Sequence, residues 1–141
     1  MNAAGFVYPG GTLSYITAHV KDIKPQKDEP NAIVLMAGDI KAKNAVPAEN
    51  IAARYSQLIN EVKHTFPWAR ILVSGLPRVG NGFRQNFIRD TNHQLEIAAA
   101  NDRLLTYIDN SNAKLRDSIH ITSASKSKLS AKISTCVKKL F

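Results

Sequence analysis

Apolar residues fall into two patterns that alternate along the chain. Short continuous apolar runs bounded by turn-forming residues are typical of buried strands in a parallel sheet. Such runs occupy residues 5–9, 32–37, 70–75 and 104–108. Each of them predicts one strand, and the segment after each strand has a different periodicity.

The segments that follow the runs carry apolar residues at helical spacing, and each predicts one amphipathic helix. Thr12 and Ser123 are candidate N-caps of the first and last helices, and Pro47 suits the first turn of the second. The third helix is expected from about residue 85 to residue 101. The apolar stripes are Leu13, Ile16, Val20 and Ile23; Ile51, Tyr55, Leu58, Val62 and Phe66; Ile88, Leu95 and Ala99; and Leu129, Ile133, Val137 and Leu140.

The resulting order, β-α-β-α-β-α-β-α, predicts a single α/β domain over residues 1–141. Strands that alternate with helices at this spacing pair in parallel, and the helices cover both faces of the sheet. We therefore expect a three-layer α/β/α fold. Because functional groups of such folds collect at the carboxyl ends of the strands, the loops that follow the four strands are expected to meet at one edge.

The composition is that of a globular domain with a positive charge. Hydrophobic residues make up 44% of the chain, which argues against disorder. The net charge of +8 permits contact with nucleic acid or anionic lipid. The basic residues are spread along the chain, except for a modest cluster for which a solvated helix face is the favoured interpretation. The cluster consists of Lys126, Lys128, Lys132, Lys138 and Lys139.

Cysteine content and apolar runs bear on the cellular setting. Cys136 is the only cysteine, so we expect no intrachain disulfide, no cysteine-based metal site and a reducing, intracellular (cytoplasmic) environment. No apolar run approaches the roughly 20 residues that cross a bilayer, and the N-terminus lacks a signal-peptide pattern. We expect no membrane association, no metal and no cofactor.

The candidate chemistry centres on Asp117-Ser118-Ile119-His120, which lies between the last strand and the last helix. A carboxylate three residues before an imidazole can orient the ring and offset the charge that it gains as a general base. Alternatively, Asp117 caps a turn and His120 is a partly buried ring. The position of the motif, in a loop expected at the carboxyl edge of the sheet, favours the catalytic interpretation.

Several segments together resemble the SGNH, or GDSL-type, hydrolase family, and are most similar to the esterase-like domains of some retrotransposon proteins. The segment Tyr8-Pro9-Gly10-Gly11-Thr12 resembles the second block of that family, and Asp117 to His120 resembles the fifth. The resemblance implies a Ser-His-Asp mechanism with His120 as general base and Asp117 as its orienting residue. It also implies that the backbone of Gly10 or Gly11 contributes to the oxyanion hole.

Further segments extend the resemblance over most of the chain. Residues 33–39 resemble the strand that leads into the third block, with Gly38 at the oxyanion hole, and residues 66–78 resemble the next strand and loop. Asn92 falls where the following helix of the family often has an asparagine. The resemblance implies a flavodoxin-like sheet with strand order 2-1-3-4-5.

Two departures from the family pattern concern catalysis directly. No Gly-Asp-Ser, the block that supplies the nucleophile, occurs in the sequence, so we expect the chain to be truncated at its N-terminus relative to the family. The asparagine of the third block is also missing, because Ile40 stands in its place in an ungapped comparison. Losing one oxyanion donor costs about 3 kcal/mol of transition-state stabilisation, and a triad without its serine has nothing to activate.

These departures predict a hydrolase-like domain that is silent or very weak toward ester or acyl substrates. One alternative is an active esterase with a substitute serine, for which Ser14, Ser74 and Ser118 are the candidates. Another is a basic module that binds nucleic acid. The strand missing from the middle of the family's sheet would leave bare edges, which the strand at residues 5–8 could close by pairing with residues 32–37; a homodimer formed through such an edge is the alternative.

Overall fold

A computed structural model of the chain describes residues 13–23, 31–36, 48–76, 82–110 and 123–140. Its elements alternate as the sequence predicts. They are α1 (Leu13–Val20), β1 (Ala32–Leu35), α2 (Ala48–Thr65), β2 (Arg70–Ser74), α3 (Gly82–Ala100), β3 (Leu105–Ile108) and α4 (Ser123–Leu140). The strand predicted at residues 5–9 lies outside the described residues.

Element boundaries differ from the predicted ones by a few residues. β1 ends at Leu35 rather than at residue 37, and α3 begins at Gly82 rather than near residue 85. The predicted start is too late because the first inward-facing apolar residue in the pattern of α3 is Ile88, about two turns into the helix. Ser123 is the first residue of α4 instead of the cap before it.

The described strands form a parallel sheet in the order β1-β2-β3. Ile33 of β1 pairs with Ile71, and Ile71 in turn pairs with Leu105. One further bond, from the amide of Gly75 to the carbonyl of Ile108 at 2.9 Å, continues the ladder past the carboxyl end of β2. Parallel pairing in chain order requires a crossover between successive strands, and α2 and α3 provide it.

Among the described residues, the larger of two hydrophobic clusters lies on the face of the sheet that α1, α2 and α3 cover. Ile71 and Val73 point into it from β2, with 0% and 1% of their surface exposed. The helices contribute the residues of their predicted stripes, which include Leu13, Val20, Tyr55, Leu58, Val62 and Leu95. Tyr55 and Leu58 are almost fully buried, so burial of the α2 stripe is a main source of stability for this layer.

The smaller cluster lies on the opposite face, which α4 covers. Leu72 and Ile108 point into it from β2 and β3, and Leu129 of α4 packs against them. Ile133, Val137 and Leu140 complete the inner face of the helix as predicted. Helices on both faces of a parallel sheet make the fold three-layered, as the sequence predicts.

The sheet's amino edge is tied to α2 by an ion pair. Lys63, near the end of α2, donates to the carboxylate of Asp102 in the turn between α3 and β3. The same carboxylate accepts a hydrogen bond from the amide of Leu104 at 3.0 Å. The hydrogen bond from Lys63 holds the pKa of Asp102 below its usual value, and the Leu104 amide acts in the same direction.

None of the helices in the described part of the chain combines the length and the apolar character that crossing a bilayer requires.

Candidate functional site at the carboxyl edge of the sheet

The carboxyl ends of the three described strands lie at one edge of the sheet. β1 ends at Leu35, β2 at Ser74 and β3 at Ile108. Ser74 pairs with Ile108, so the residues that follow these two strands begin side by side. This is the edge at which open parallel sheets carry their ligands and catalytic groups.

The five residues that the sequence assigns to the site lie outside the described residues. They are Gly10, Gly11, Gly38, Asp117 and His120. The structure therefore does not bring them together or separate them, and their grouping stays a prediction. It does describe the two residues that flank the segment 111–122, which are Asn110 after β3 and Ser123 at the start of α4.

A layer of buried polar residues lies at this edge on the α4 side. Leu72, Ile108 and Leu129 form the apolar cluster below it. Ser74 follows Leu72 by two residues, Asn110 follows Ile108 by two and lies just past the end of β3, and Ser125 is one turn before Leu129 in α4. Ser74, Asn110 and Ser125 are 2%, 4% and 7% exposed. The core thus changes from apolar to polar at the level where the loops begin.

Within that layer, the side chain of Asn110 has an unsatisfied hydrogen-bond donor among the described residues. Its Nδ2 atom is buried and has no hydrogen-bond partner among the described residues. Leaving a buried donor unpaired costs about 1–3 kcal/mol, so this position favours any acceptor that reaches it. Its neighbour in the layer, Ser74, donates from Oγ to the carbonyl of Gly75 at 3.3 Å.

On the α3 side, the side chain of Asn92 holds the loop after β2. Its Oδ1 accepts a hydrogen bond from the amide of Leu76 at 2.8 Å, and its Nδ2 donates to the Leu76 carbonyl at 2.9 Å. Asn92 and Leu76 are both buried, at 8% and 5% exposed. A side-chain amide that satisfies both backbone groups of one residue fixes the path of the chain as it leaves the sheet. Next to it, Thr91 is fully buried, and its Oγ1 has no partner among the described residues.

The phenol of Tyr107 covers the backbone of the same loop. A Cβ atom built on Gly75 would lie 2.3 Å from the Tyr107 hydroxyl oxygen, so only glycine fits beneath the ring. Burial raises the pKa of Tyr107 to about 12, with smaller contributions from the charges of Asp109 and Glu96. The hydroxyl therefore stays protonated throughout the neutral pH range, and can act as a hydrogen-bond donor but not as a base.

Two of the three candidate substitute serines are described. Ser74 is buried and bonded to the neighbouring carbonyl, and Ser14 is exposed in the first turn of α1. α1 packs on the face opposite to α4, because Leu13 and Val20 belong to the larger cluster. Ser118 lies outside the described residues.

Sequence reasoning missed Asn110, Thr91 and Tyr107 as residues of this edge. A signal for Asn110 is present, because it follows Ile108 by two residues, the spacing at which side chains of an extended chain share a face. Thr91 carries the helical spacing of Ile88 and Leu95. Tyr107 carried no such signal, since its contact with Gly75 depends on the register between β2 and β3.

Solved structures that share this fold include esterases and a related hydrolase. An acetyl esterase, in a serine-to-alanine mutant with an acetate ion, superposes with a TM-score of 0.76 and 14% sequence identity over 93% of this chain and 68% of that one. A carbohydrate esterase of family 3 from Talaromyces cellulolyticus gives a TM-score of 0.72, with 16% identity over 93% of this chain and 68% of its own. A provisionally assigned acylhydrolase from Bacteroides fragilis gives a TM-score of 0.72, with 14% identity over 93% of this chain and 72% of its own.

Neither models of known protein families nor the sequences of curated proteins match this chain. At these identities the structural likeness establishes the fold. The chain has the α/β fold of these esterases, which is consistent with the SGNH-type hydrolase fold that the sequence predicts.

Proposed function

We propose that this chain is an SGNH-type hydrolase domain that supplies an acid–imidazole pair, Asp117 and His120, but has no working nucleophile and is silent toward esters on its own. The observation that carries the proposal is the place of the segment 111–122 in an esterase-type fold. That segment connects the carboxyl end of β3 to α4, and it contains both residues of the pair.

The described residues on either side of this segment support the proposal. Lys132 of α4 donates to the carbonyl of Asp109, directly after β3, at 2.9 Å. Leu129 packs against Ile108, the last residue of that strand. The first half of α4 therefore lies beside the end of β3, so a connection between them starts and finishes near the edge where parallel sheets carry their chemistry.

In this proposal His120 would accept a proton from a nucleophile, and Asp117 would fix the orientation of the ring and stabilise its charged form. The backbone amides of Gly10, Gly11 and Gly38 would face the oxyanion. The 141 residues contain no Gly-Asp-Ser, and Ile40 replaces the asparagine that would add a side-chain donor. An oriented base without a nucleophile lowers no barrier to acyl transfer.

The environment of Ser74, one of the candidate substitute serines, also favours a silent domain. Ser74 is only 2% exposed, so a substrate carbonyl would have to displace the packing around it before its Oγ could attack. A substitute nucleophile must be accessible to the substrate, and the burial of Ser74 disfavours that.

The direct experiment is hydrolysis of p-nitrophenyl acetate by the chain and by a His120→Ala variant. We expect the chain and the His120→Ala variant to hydrolyse the ester at equal rates. The matched control for adventitious imidazole catalysis is His93→Ala, which removes an exposed histidine of α3. The active-esterase alternative predicts a different outcome: the loss of His120 alone would lower the rate by about a hundredfold or more. That result would overturn the proposal.

A further inference from the structure

The exposed surface of α4 differs in charge from the rest of the molecule. The helix contains five lysines and no acidic residue, so its 18 residues carry +5 of the net charge of +8. All five lysines are exposed. A charge density of this kind raises the local concentration of polyanions.

Three of the lysines form one stripe along the helix. At 3.6 residues per turn, Lys128, Lys132 and Lys139 fall within about 40° of one another around the helix axis. The stripe extends for about 16 Å along α4, which corresponds to about five base pairs of a nucleic-acid duplex. Lys132 lies within it and also reaches the carbonyl of Asp109, so the stripe runs on the β3 side of the helix.

The remaining exposed residues of α4 are small or hydroxylic. Ser127, Ser130 and Ser134 are exposed between the lysines, as is Thr135, whose hydroxyl donates to the carbonyl of Ala131. Lysines and small hydroxyl side chains are the groups that contact the phosphates and sugars of nucleic acids. Contacts of these groups with phosphates and sugars do not distinguish one base from another, so the surface is suited to binding nucleic acid without sequence preference.

A membrane surface is the other common polyanion, and the composition of α4 argues against it. A helix that lies on a bilayer inserts large apolar side chains between the lipids. The large apolar residues of α4 are used on the inner face, where Leu129, Ile133 and Val137 pack against the sheet. Within this helix no aromatic or large aliphatic side chain is exposed.

We propose that the exposed surface of α4, with the stripe of Lys128, Lys132 and Lys139 along its β3 side, is a binding surface for the phosphate backbone of a nucleic-acid duplex. The proposal is independent of the acid–imidazole pair and holds whether or not the domain hydrolyses esters. Each lysine that neutralises a phosphate releases counterions, so binding weakens steeply as salt rises.

The test is fluorescence anisotropy with a labelled duplex of mixed sequence, about 20 base pairs long, at about 50 to 200 mM salt, the range over which phosphate contacts change affinity most. The stripe variant replaces Lys128, Lys132 and Lys139 with Gln. The matched control replaces Lys21, Arg89 and Arg103, which are exposed cations outside α4, with Gln, so both variants lose the same charge. Urea unfolding of both variants verifies that they remain folded.

We expect the chain to bind the duplex at the lowest salt concentration. The stripe variant should bind at least about tenfold more weakly, and the slope of log affinity against log salt concentration should be smaller in magnitude by about 2 to 3. The control variant should retain most of its affinity. Equal loss in both variants would show a diffuse charge effect and overturn the assignment to α4. So would absence of duplex binding at the lowest salt concentration, or lysine-dependent binding to phosphatidylserine vesicles in its place.

Discussion

Replacing Gly75 with Ala tests how tightly the loop after β2 is packed. The added methyl group would lie 2.3 Å from the hydroxyl oxygen of Tyr107, 2.9 Å from its Cζ and 3.1 Å from its Cε2. The first distance is about 1 Å shorter than the 3.4 Å at which ordinary contact begins. The backbone of Gly75 cannot retreat freely, because its amide is bonded to the Ile108 carbonyl.

The ring of Tyr107 must therefore move, and its surroundings resist that movement. Tyr107 packs against the larger hydrophobic cluster, in register with Val73. Forcing an extra carbon into a packed core costs about 1–3 kcal/mol. We expect Gly75→Ala to lower the free energy of unfolding by that amount, measured by urea denaturation with far-UV circular dichroism.

A double-mutant cycle isolates this contact from other effects of the substitution. Tyr107→Phe removes the atom at 2.3 Å but keeps the carbon at 2.9 Å, so it should relieve the clash only in part. In a Tyr107→Leu background Gly75→Ala should be neutral or stabilising, because alanine loses less backbone entropy than glycine on folding. Equal destabilisation by Gly75→Ala in the parent chain and in the Tyr107→Leu background would refute the reasoning, as would a gain of stability in the parent chain.

Three further predictions concern neighbouring contacts. Asn92→Ala should destabilise the fold by about 2–5 kcal/mol, since it leaves the buried amide and carbonyl of Leu76 without their partner; an unchanged urea midpoint would contradict this. The pKa of Asp102 is lowered in the folded chain, so its ion pair with Lys63 stabilises the fold at pH values above the ordinary carboxyl pKa. This stabilisation is lost as the pH falls through the pKa that Asp102 has in the folded chain. Asp102→Asn should therefore lower stability at neutral pH, by up to about 1 kcal/mol, and this loss should shrink below about pH 4, which unfolding curves at both pH values would check. Spectrophotometric titration should show a tyrosine ionisation near pH 12 that is absent in Tyr107→Phe, with stability falling as pH rises from 10.0 to about 12. An identical titration curve for Tyr107→Phe above about pH 11 would count against the burial of that ring.

The layered α/β fold could be predicted because each of its elements has a local signature. The continuous apolar runs around Ile33 and Leu72 distinguish buried strands, and the stripe from Tyr55 to Val62 distinguishes a helix. The alternation of the two patterns then dictates parallel pairing, which the structure confirms. The predicted inner face of α4 is confirmed for the same reason, since helical spacing alone determines which side chains share a face.

The contacts that shape the carboxyl edge were less accessible to sequence reasoning. Asn92 was singled out only through a family resemblance, and nothing in its neighbours shows that it bonds to Leu76, which is 16 residues earlier in the chain. The contact between Tyr107 and Gly75 likewise depends on strand register. Contacts between a side chain and a distant part of the backbone depend on tertiary packing, which produces no periodic pattern in the sequence.

The most direct test of the silent-domain account is labelling with a fluorophosphonate, a reagent that reacts covalently with activated serines. Intact-mass analysis of the chain and of its His120→Ala variant would read the result. The account predicts no adduct in either protein, because Asp117 and His120 have no serine to activate. A stoichiometric adduct on the parent chain that disappears in His120→Ala would contradict it and show that the chain contains a serine activated by His120.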